Sequence, residues 1–561
     1  MHLVLHRVDG GVTATPLTDA GESAGAPTRL DEPRLPAFVA AHDGPDVRWV
    51  WDDTARWYPA VLAAGGRVGR CTDLRLTRRI LRHALATRGT ALAAAPEDTW
   101  DGPGLEARVT RPTQARLFDD ALFTVAPPDD DADPVAELRA QLDAVAASTT
   151  PGALRLLTTA ESAGALVAAE VLHAGLPWRR DVHERLLEDA LGPRVPPGVR
   201  PRRLEELAVE LREALGDPAL NPDSPTDVLR ALRAAGLAVT STRKWELQEL
   251  DHPVIAPLLE YKRLSRLLTA NGWAWLDEWV QDGRFHPRYV VGGVVTGRWA
   301  ADGGGAMQLP RTVRPAVVAD DGWAFVVADA AQLEPRVLAA MAGDRAMATA
   351  GDGHDLYDGV VASGAVETRQ QAKGAMLGAM YGATQGDAGR LVPRLARAFP
   401  AALGLVDRAA RAGERGEPVT TLLGRTSPVP DEAWFAARNR AWSVEGTTAQ
   451  QRAVESRSRS WGRFTRNFVV QGTAAEWALA WMGSLRARLA ARFPGPVTAG
   501  PHLVFFVHDE IVVHTPVEHA AWVAEQVRAA AEEAGRLLFR DFPIVFPLSV
   551  STVRDYGSAK D

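Results

Sequence analysis

The sequence predicts a multidomain chain of mixed α+β and α/β architecture, and three observations carry that reading. Its 561 residues exceed what a single hydrophobic core organises, so three or more modules are expected. Residues 1–125 mix short β-like runs with loops rich in Gly and Pro, whereas residues 135–268 repeat Leu and Ala at helical spacing. Beyond them, strand–helix patterns and one strand–turn–strand pattern follow.

The elements are expected in this order. LVLHRV and VRWVW read as strands of the first module, and the acidic linker APPDDDADP, from Ala126 to Pro134, closes it. In the helical stretch, Ser224 or Thr226 is placed to cap PTDVLRALRAAGL, with Asp227 early in the first turn. Sheet strands are expected to start near Tyr289, with a mostly helical insertion near 346–440 and a return to strands in LVFFVHDEIVVH. No internal repeat or long low-complexity tract interrupts this order.

Composition narrows the class. A hydrophobic content of 46% is ample for packed interiors. One cysteine, Cys71, excludes a disulfide framework and suits a reducing cytoplasm. With no long apolar run and no basic-then-apolar leader, neither membrane insertion nor secretion is expected. The net charge of −7 argues at first against a nucleic-acid partner. Charge location matters more than its sum. Between Arg440 and Arg466 stand six arginines and two acids, Glu445 and Glu455, a local stretch suited to a phosphate backbone.

The chemistry concentrates in three motifs. VVADAAQLEPRV delivers Asp329 at the end of a strand, followed by a helix carrying Glu334 and Arg336. RQQAKGAMLGAMYG repeats Arg369, Lys373, Leu377 and Tyr381 every four residues, which puts all four on one helix face. FFVHDEIVVH sets His508, Asp509 and Glu510 between two apolar runs, as on a hairpin. Two separated acids and one cationic face are the parts that phosphoryl transfer from a polyphosphate requires: carboxylates for divalent metals and cations for phosphates.

These motifs resemble those of the bacterial DNA polymerase I family (family A). VVADAAQLEPRV is similar to its first palm motif, D-x-S-Q-I-E-x-R; RQQAKGAMLGAMYG to its fingers helix, R-x-x-x-K-x-x-x-F-x-x-x-Y-G; and VHDE to its second palm motif. LLEYKRLSRLL resembles the thumb segment, VVTGRWAADGGGAMQLP the T-G-R-x-x-S…L-Q-N-I-P stretch, and RFTRNFVVQGTAAEWA the R-x-x-x-N-x-x-x-Q-G-T-A-A-D stretch. Six motifs in family order cover roughly residues 160–561. The resemblance implies a right-hand polymerase of palm, fingers and thumb, preceded by an RNase H-like exonuclease-type domain. Its modules are expected at 1–134 (exonuclease-like), 135–285 (helical connector and thumb), 286–345 (first part of the palm), 346–440 (fingers) and 441–561 (second part of the palm).

The resemblance also implies roles. Asp329 and Asp509 correspond to the metal-binding carboxylates for two Mg²⁺ ions, or Mn²⁺ in their place, with Glu510 as a secondary contributor. Lys373 meets the α-phosphate region and protonates the leaving group. Arg369 and His354 hold the outer phosphates, for which a bidentate Arg is better shaped than Lys. Tyr381 lies against the templating base, and Glu334 closes over the sugar 2′ position, with Gln332 and Leu377 beside the nucleotide. Arg298, Arg463, Asn467, Gln471 and His508 correspond to primer–template contacts, which in the minor groove are nearly blind to sequence.

Three positions depart from the family pattern. Leu377 replaces an aromatic residue, Ala331 replaces Ser before Gln332, and Pro335 stands where Leu is frequent. Pro is tolerated in a first helical turn. The N-terminal module departs further. Its first strand, MHLVLHRVDGG, lacks the D-x-E pair of a 3′–5′ exonuclease. WVWDDTARWY places Tyr58 where an Asp should bind metal, while Asp73 and Asp131 remain and Pro127 takes the place of a Tyr. A two-metal nuclease needs its acids as a set, so this module reads as a vestigial fold; the alternative is a working exonuclease with a degenerate motif.

The function so implied is DNA-templated DNA synthesis without proofreading, in replication or in gap filling during repair, on primer–template DNA with dNTPs as substrates. The chain is expected to act as a monomer, and it needs a separate 5′ nuclease if it matures RNA-primed fragments. An RNA-synthesising relative is opposed by Glu334. A catalytically inactive DNA-binding protein is opposed by the intact set Asp329, Asp509, Lys373, Arg369 and Tyr381.

Overall fold

Alternating and continuous apolar runs build the first sheet of the computed structural model, which describes residues 1–102, 132–353, 355–382, 386–444 and 446–560. The strands are β1 (His2–Val8), β2 (Gly11–Leu17), β3 (Thr28–Leu30), β4 (Arg48–Trp51) and β5 (Cys71–Asp73), in the order β3-β2-β1-β4-β5. β1 pairs antiparallel with β2 and parallel with β4, and β4 pairs parallel with β5. Parallel strands need crossover helices, and α1 (Leu35–His42) and α2 (Thr54–Ala63) lie between β3 and β5 in the chain. α3 (Leu74–His83), the short α4 (Ala91–Ala94) and α5 (Pro134–Ala147) follow. Asp131 and Pro127, the two further exonuclease-motif positions, lie outside the described residues.

α6 (Pro151–Ala174) carries a run of buried residues from Leu154 to Ala174. Next come β6 (Leu176–Pro177), α7 (Arg180–Leu191), α8 (Arg202–Leu215), α9 (Pro225–Ala234), α10 (Lys244–Leu247), α11 (Ile255–Asn271) and α12 (Trp273–Trp279). Ser224 caps α9, accepting from the Asp227 amide at 3.3 Å. β7 (Val280–Gln281) and β8 (Arg284–Phe285) complete a small sheet of order β6-β8-β7. β9 (Tyr289–Val290) and β10 (Ala300–Ala301) form a separate antiparallel pair. The strand expected near Tyr289 is therefore present but lies outside the main sheet, because only two residues pair before the chain turns at Gly292 (φ 61°).

The main C-terminal sheet has the order β12-β13-β11-β14. Its first strand is β11 (Trp323–Ala330). α13 (Leu333–Ala342), α14 (Arg345–Ala350), α15 (Leu356–Ala362), α16 (Arg369–Tyr381), α17 (Gly386–Ala398), α18 (Pro400–Glu414), α19 (Glu432–Ala441) and the 45-residue α20 (Thr448–Arg492) follow. β12 (His502–Val507), β13 (Glu510–Pro516), α21 (Ala520–Phe539) and β14 (Leu548–Val553) end the fold. No helix among the described residues is long and apolar enough to cross a membrane.

Two compact units result. One comprises Met1–Ala174, Arg288–Gly303 and Val326–Thr552; the other comprises Gly175–Pro287, Gly304–Phe325 and Val553–Asp561. In the first, α20 is the central strut. Trp477 and Trp481 are fully buried on it, and Trp477 packs on Phe546 at 5.0 Å between ring centroids. α6 crosses close to it at Gly164, where an added Cβ would lie 2.6 Å from Leu479. In the second unit, Trp178, His183, Trp275 and Phe285 pack as an aromatic cluster. Burial holds the His183 imidazole down to about 4, and its Nε2 bonds the Asn271 carbonyl.

Candidate active site

β11 and β13 are neighbours in the sheet, and this brings the two expected carboxylates together. Asp329 is the penultimate residue of β11, and Asp509 sits in the tight turn between β12 and β13. The Ala330 amide donates to the Asp509 carbonyl at 3.0 Å, tying the two strand ends directly. Both carboxylates are half-buried, whereas Glu510, one residue on, is buried. Non-glycine residues with positive φ flank the pair: Gln332 (φ 53°) and His508 (φ 57°). Such strain, on the order of 1–3 kcal/mol each, persists where the surroundings over-determine the backbone. At Gln332 the surroundings are visible. Its Nε2 donates to Asp355 Oδ2 at 2.6 Å, and its Oε1 accepts from the Leu356 amide and from Arg336.

Arg336 explains why the segment after Asp329 is rigid. It is fully buried and donates to the carbonyls of Ala331, Gly351 and Val545. α13 starts at Leu333, so Pro335 falls in its first turn, where no backbone donor is lost.

α16 presents the face that the four-residue spacing requires. Ala372, Ala375, Met376, Ala379 and Met380 are buried at 0–1% exposure, while Arg369, Lys373, Leu377 and Tyr381 are exposed. Thr368 caps its start and Gly382 (φ 77°) ends it. The exposed face is tied at both ends to the segment that follows Asp329. At the C-terminal end, the Tyr381 hydroxyl donates to Glu334 Oε2 at 2.8 Å. At the N-terminal end, Arg369 donates at 2.7 Å to Asp355 Oδ2, the same oxygen that Gln332 reaches. Burial acts against the Asp355 charge, but the Arg369 hydrogen bond wins and holds its carboxyl below the usual range. His354 lies outside the described residues.

The expected primer–template residues gather at the same place. Arg298 donates to Glu334 Oε1 at 2.5 Å, so both oxygens of that carboxylate are held. Gln471 accepts from Thr296 at 3.0 Å, and its side chain also reaches the Tyr381 hydroxyl. Arg463 lies one turn before Asn467 on α20, against Gly382, where an added Cβ would meet its Cγ at 2.7 Å. His508 is exposed in the hairpin turn; partial burial and then the nearby Arg298 charge lower its pKa. Sequence reasoning missed Asp355, the bridge between Gln332 and Arg369, although it stands in GDGHDLYDG as the cap of α15.

The N-terminal module uses its acids for structure. Tyr58 is fully buried and donates to Glu170 on α6 at 2.6 Å. Arg486 on α20 donates to the same Glu170 oxygen at 2.7 Å, and Arg67 reaches the other at 3.1 Å. Burial pushes the Glu170 carboxyl up, but the two guanidiniums outweigh it and bring it down to about 2. Asp73 caps α3 and accepts from the Thr54 amide and hydroxyl at 2.8 Å. Burial and the neighbouring Asp53 push it up to about 7. Asp52 accepts from Trp57 and Arg56, and Asp53 caps α2.

Comparison with known proteins adds lineage to this geometry. DNA polymerase I of Chloroflexus aurantiacus is 29% identical over 351 residues, covering 58% of this chain and 34% of that protein. The thermostable DNA polymerase I of Thermus aquaticus is 26% identical over 390 residues, covering 64% of this chain and 42% of that one. The chain thus matches well under half the length of these relatives. A solved structure, the POL domain of Pol1 from M. smegmatis in complex with DNA primer-template and dNTP, superposes with a TM-score of 0.65 at 17% identity; the match covers 100% of this chain and 96% of that one. That likeness shows a shared fold. Residues 200–555 match DNA polymerase family A, which is more than half of the chain and contains all three motifs of the site. The chain belongs to DNA polymerase family A.

Proposed function

We propose that the chain is a DNA-templated DNA polymerase that adds dNTPs to a primer 3′-hydroxyl and does not proofread. One observation carries this reading: the exposed Arg369–Lys373–Leu377–Tyr381 face is tied at both ends to the segment directly after Asp329. This face, about 18 Å from Arg369 to Tyr381 with its two cations in the first half, is thereby held beside the segment that follows Asp329.

Divalent metal fits the donor set. Two carboxylates stand at neighbouring strand ends, Asp329 on β11 and Asp509 in the turn before β13. Mg²⁺ is held in this way, by one or two carboxylates and completed by substrate phosphates and water. Asp329 and Asp509 would hold the metal pair, with Glu510 behind them, and its charge would supply a lowered pKa for the primer hydroxyl and stabilisation of the leaving pyrophosphate. Arg369 exchanges Asp355 for the outer phosphates, and Lys373 meets the α-phosphate region and supplies a proton to the leaving group. Tyr381 receives the templating base, Leu377 gives the sugar an apolar wall, and Glu334 fills the 2′ space. Arg298, Arg463, Asn467, Gln471 and His508 contact the primer–template near its terminus. The modules carry these roles as 286–345 and 441–561 (palm), 346–440 (fingers) and 135–285 (connector and thumb), with 1–134 a structural remnant of an exonuclease. The partners on this reading are primer–template DNA and dNTPs, the working state is a monomer, and the setting is cytoplasmic replication or repair gap filling.

The test is primer extension by the purified chain with Mg²⁺ and either dNTPs, rNTPs or no nucleotide. Extension with dNTPs alone supports the reading. Preferential extension with rNTPs would indicate an RNA-synthesising relative, and binding without extension an inactive DNA-binding protein.

A further inference from the structure

Asp355 lies outside the three motifs of the site, yet it puts a carboxylate at the cationic end of the α16 face. Its two oxygens have different partners. Oδ1 accepts from the Tyr357 and Asp358 amides at 2.9 and 3.3 Å and so caps α15. Oδ2 accepts from Gln332 Nε2 at 2.6 Å and from the Arg369 guanidinium at 2.7 Å. A cap needs one side-chain oxygen, and Asn or Ser supplies it as well as Asp does. The negative charge and the second oxygen therefore serve the contact with Arg369 and Gln332, not the helix end.

The two members of the ion pair differ in freedom. Asp355 is pinned by two amides of the helix that it caps and by Gln332. Gln332 is pinned in turn, since its Oε1 accepts from the Leu356 amide and from the fully buried Arg336. The carboxylate thus cannot follow a partner that moves. Arg369 is the first residue of α16 and its side chain is exposed, with one edge near the Tyr357 ring at 5.5 Å. Opening an exposed pair of this kind takes little free energy. A polyphosphate offers Arg369 more charge than one carboxylate does, in the bidentate geometry that a guanidinium prefers. Once displaced, the fixed Asp355 charge stays near the phosphate that replaced it, and the two repel.

We infer that Asp355 is a built-in anion that occupies Arg369 between substrates and thereby sets the triphosphate concentration at which the site fills. This rests on the polymerase reading, in which Arg369 binds the outer phosphates, and it names what regulates that binding. The apparent affinity for a triphosphate is the intrinsic affinity multiplied by the fraction of molecules whose Arg369 is open. Asp355 lowers that fraction and so raises KM without touching the reacting atoms. It is a positioning residue, acting on the nucleotide through Arg369.

The experiment titrates inorganic tripolyphosphate by calorimetry into the full chain without DNA, for wild type, Asp355→Asn, Arg369→Ala and the double variant. Asp355→Asn removes the charge and keeps an oxygen for the cap. Thermal unfolding checks that the fold is retained, and Asp355→Ser serves if the first variant does not fold. Asp355→Asn should bind tripolyphosphate about fivefold more tightly than wild type, the weight of one exposed ion pair. That gain should vanish when Arg369 is already replaced, because the two substitutions act on one contact. In primer extension Asp355→Asn should lower KM for dNTP by a similar factor and move kcat by less than about twofold, the mark of a change in ground-state binding alone. Unchanged tripolyphosphate affinity in Asp355→Asn, or an equal gain with and without Arg369, would overturn the inference. Failure of wild type to extend a primer would instead strike the polymerase reading, while the tripolyphosphate titration still decides the role of Asp355.

Discussion

The Tyr381 hydroxyl donates to Glu334 Oε2 at 2.8 Å while Arg298 holds Oε1, so the last residue of α16 and the first turn of α13 share one fixed carboxylate. Burial, and then the Glu334 charge, pushes the Tyr381 phenol up to about 12, so it stays a donor throughout the working pH range. A carboxylate held by two donors cannot swing aside to admit an extra hydroxyl.

With Glu334 filling the sugar 2′ space as proposed, sugar selection rests on this contact. Glu334→Ala should raise rNTP incorporation relative to dNTP by at least about tenfold in kcat/KM, since a pocket that loses one bulky group loses discrimination of that order. Tyr381→Phe should have a smaller effect in the same direction, because Arg298 still holds the carboxylate. An unchanged ratio in Glu334→Ala would remove Glu334 from the gate.

Leu377 is 36% exposed on the same face and offers no hydroxyl. Dideoxynucleotides should therefore be poor substrates. Leu377→Tyr should improve them by about fivefold relative to dNTPs, the net effect of one added hydrogen bond. Competition of ddNTP with dNTP in a termination ladder reads this directly, and equal use of both by wild type would contradict it.

The buried Glu170 cluster makes a prediction about pH. Its carboxyl ionises at about 2 in the fold against 4.5 unperturbed. The folded value is depressed, so the stabilisation is fully present above pH 4.5 and is lost as pH falls toward 2. Asp73 acts in the opposite sense: raised to about 7 from 3.8, it opposes folding increasingly as pH rises from 3.8 toward 7. Glu170→Gln leaves Arg486 and Arg67 without their partner and should cost on the order of 3 kcal/mol at pH 7. That deficit should shrink toward pH 3, as denaturant unfolding of both proteins at several pH values would show. A deficit independent of pH would mean that the charge of Glu170 is not what stabilises the cluster.

Short-range signals made much of this legible in the sequence. The four-residue repeat of Arg369, Lys373, Leu377 and Tyr381 gave the exposed face of α16, and apolar runs around His508 and Asp509 gave the β12–β13 turn. What stayed hidden joins distant positions. Tyr58, Glu170 and Arg486 meet across separations of 112 and 316 residues, and no periodicity marks such partners. Tyr58 was recognisable as the wrong residue for a metal ligand, but not as a structural donor. Likewise the sequence places Arg369 on the exposed face of α16, whereas its pairing with Asp355 depends on how α15 packs beside α13.

Proofreading should be absent on the proposed reading, because Tyr58, where the resemblance implies an Asp, spends its hydroxyl on Glu170, while Asp73 spends both oxygens on Thr54 and Leu76. With Mg²⁺ or Mn²⁺ and no dNTPs, the chain should not shorten a mismatched or single-stranded 3′ end, and Asp131→Ala should leave that result unchanged. Robust 3′ degradation abolished by Asp131→Ala would establish a working exonuclease. Degradation indifferent to it would indicate a contaminating nuclease.

On the proposed reading Asp329 and Asp509, linked through the Ala330 amide, hold the metals of nucleotide addition. Single-turnover extension of one primer by wild type, Asp329→Ala and Asp509→Ala, with primer–template affinity measured on the same samples, tests it most directly. Each substitution should lower the rate by a factor of at least about 10³, because electrostatic stabilisation of the transition state is lost, while affinity stays within about threefold because cationic side chains elsewhere supply it. Extension by either variant at near wild-type rate would contradict the assignment.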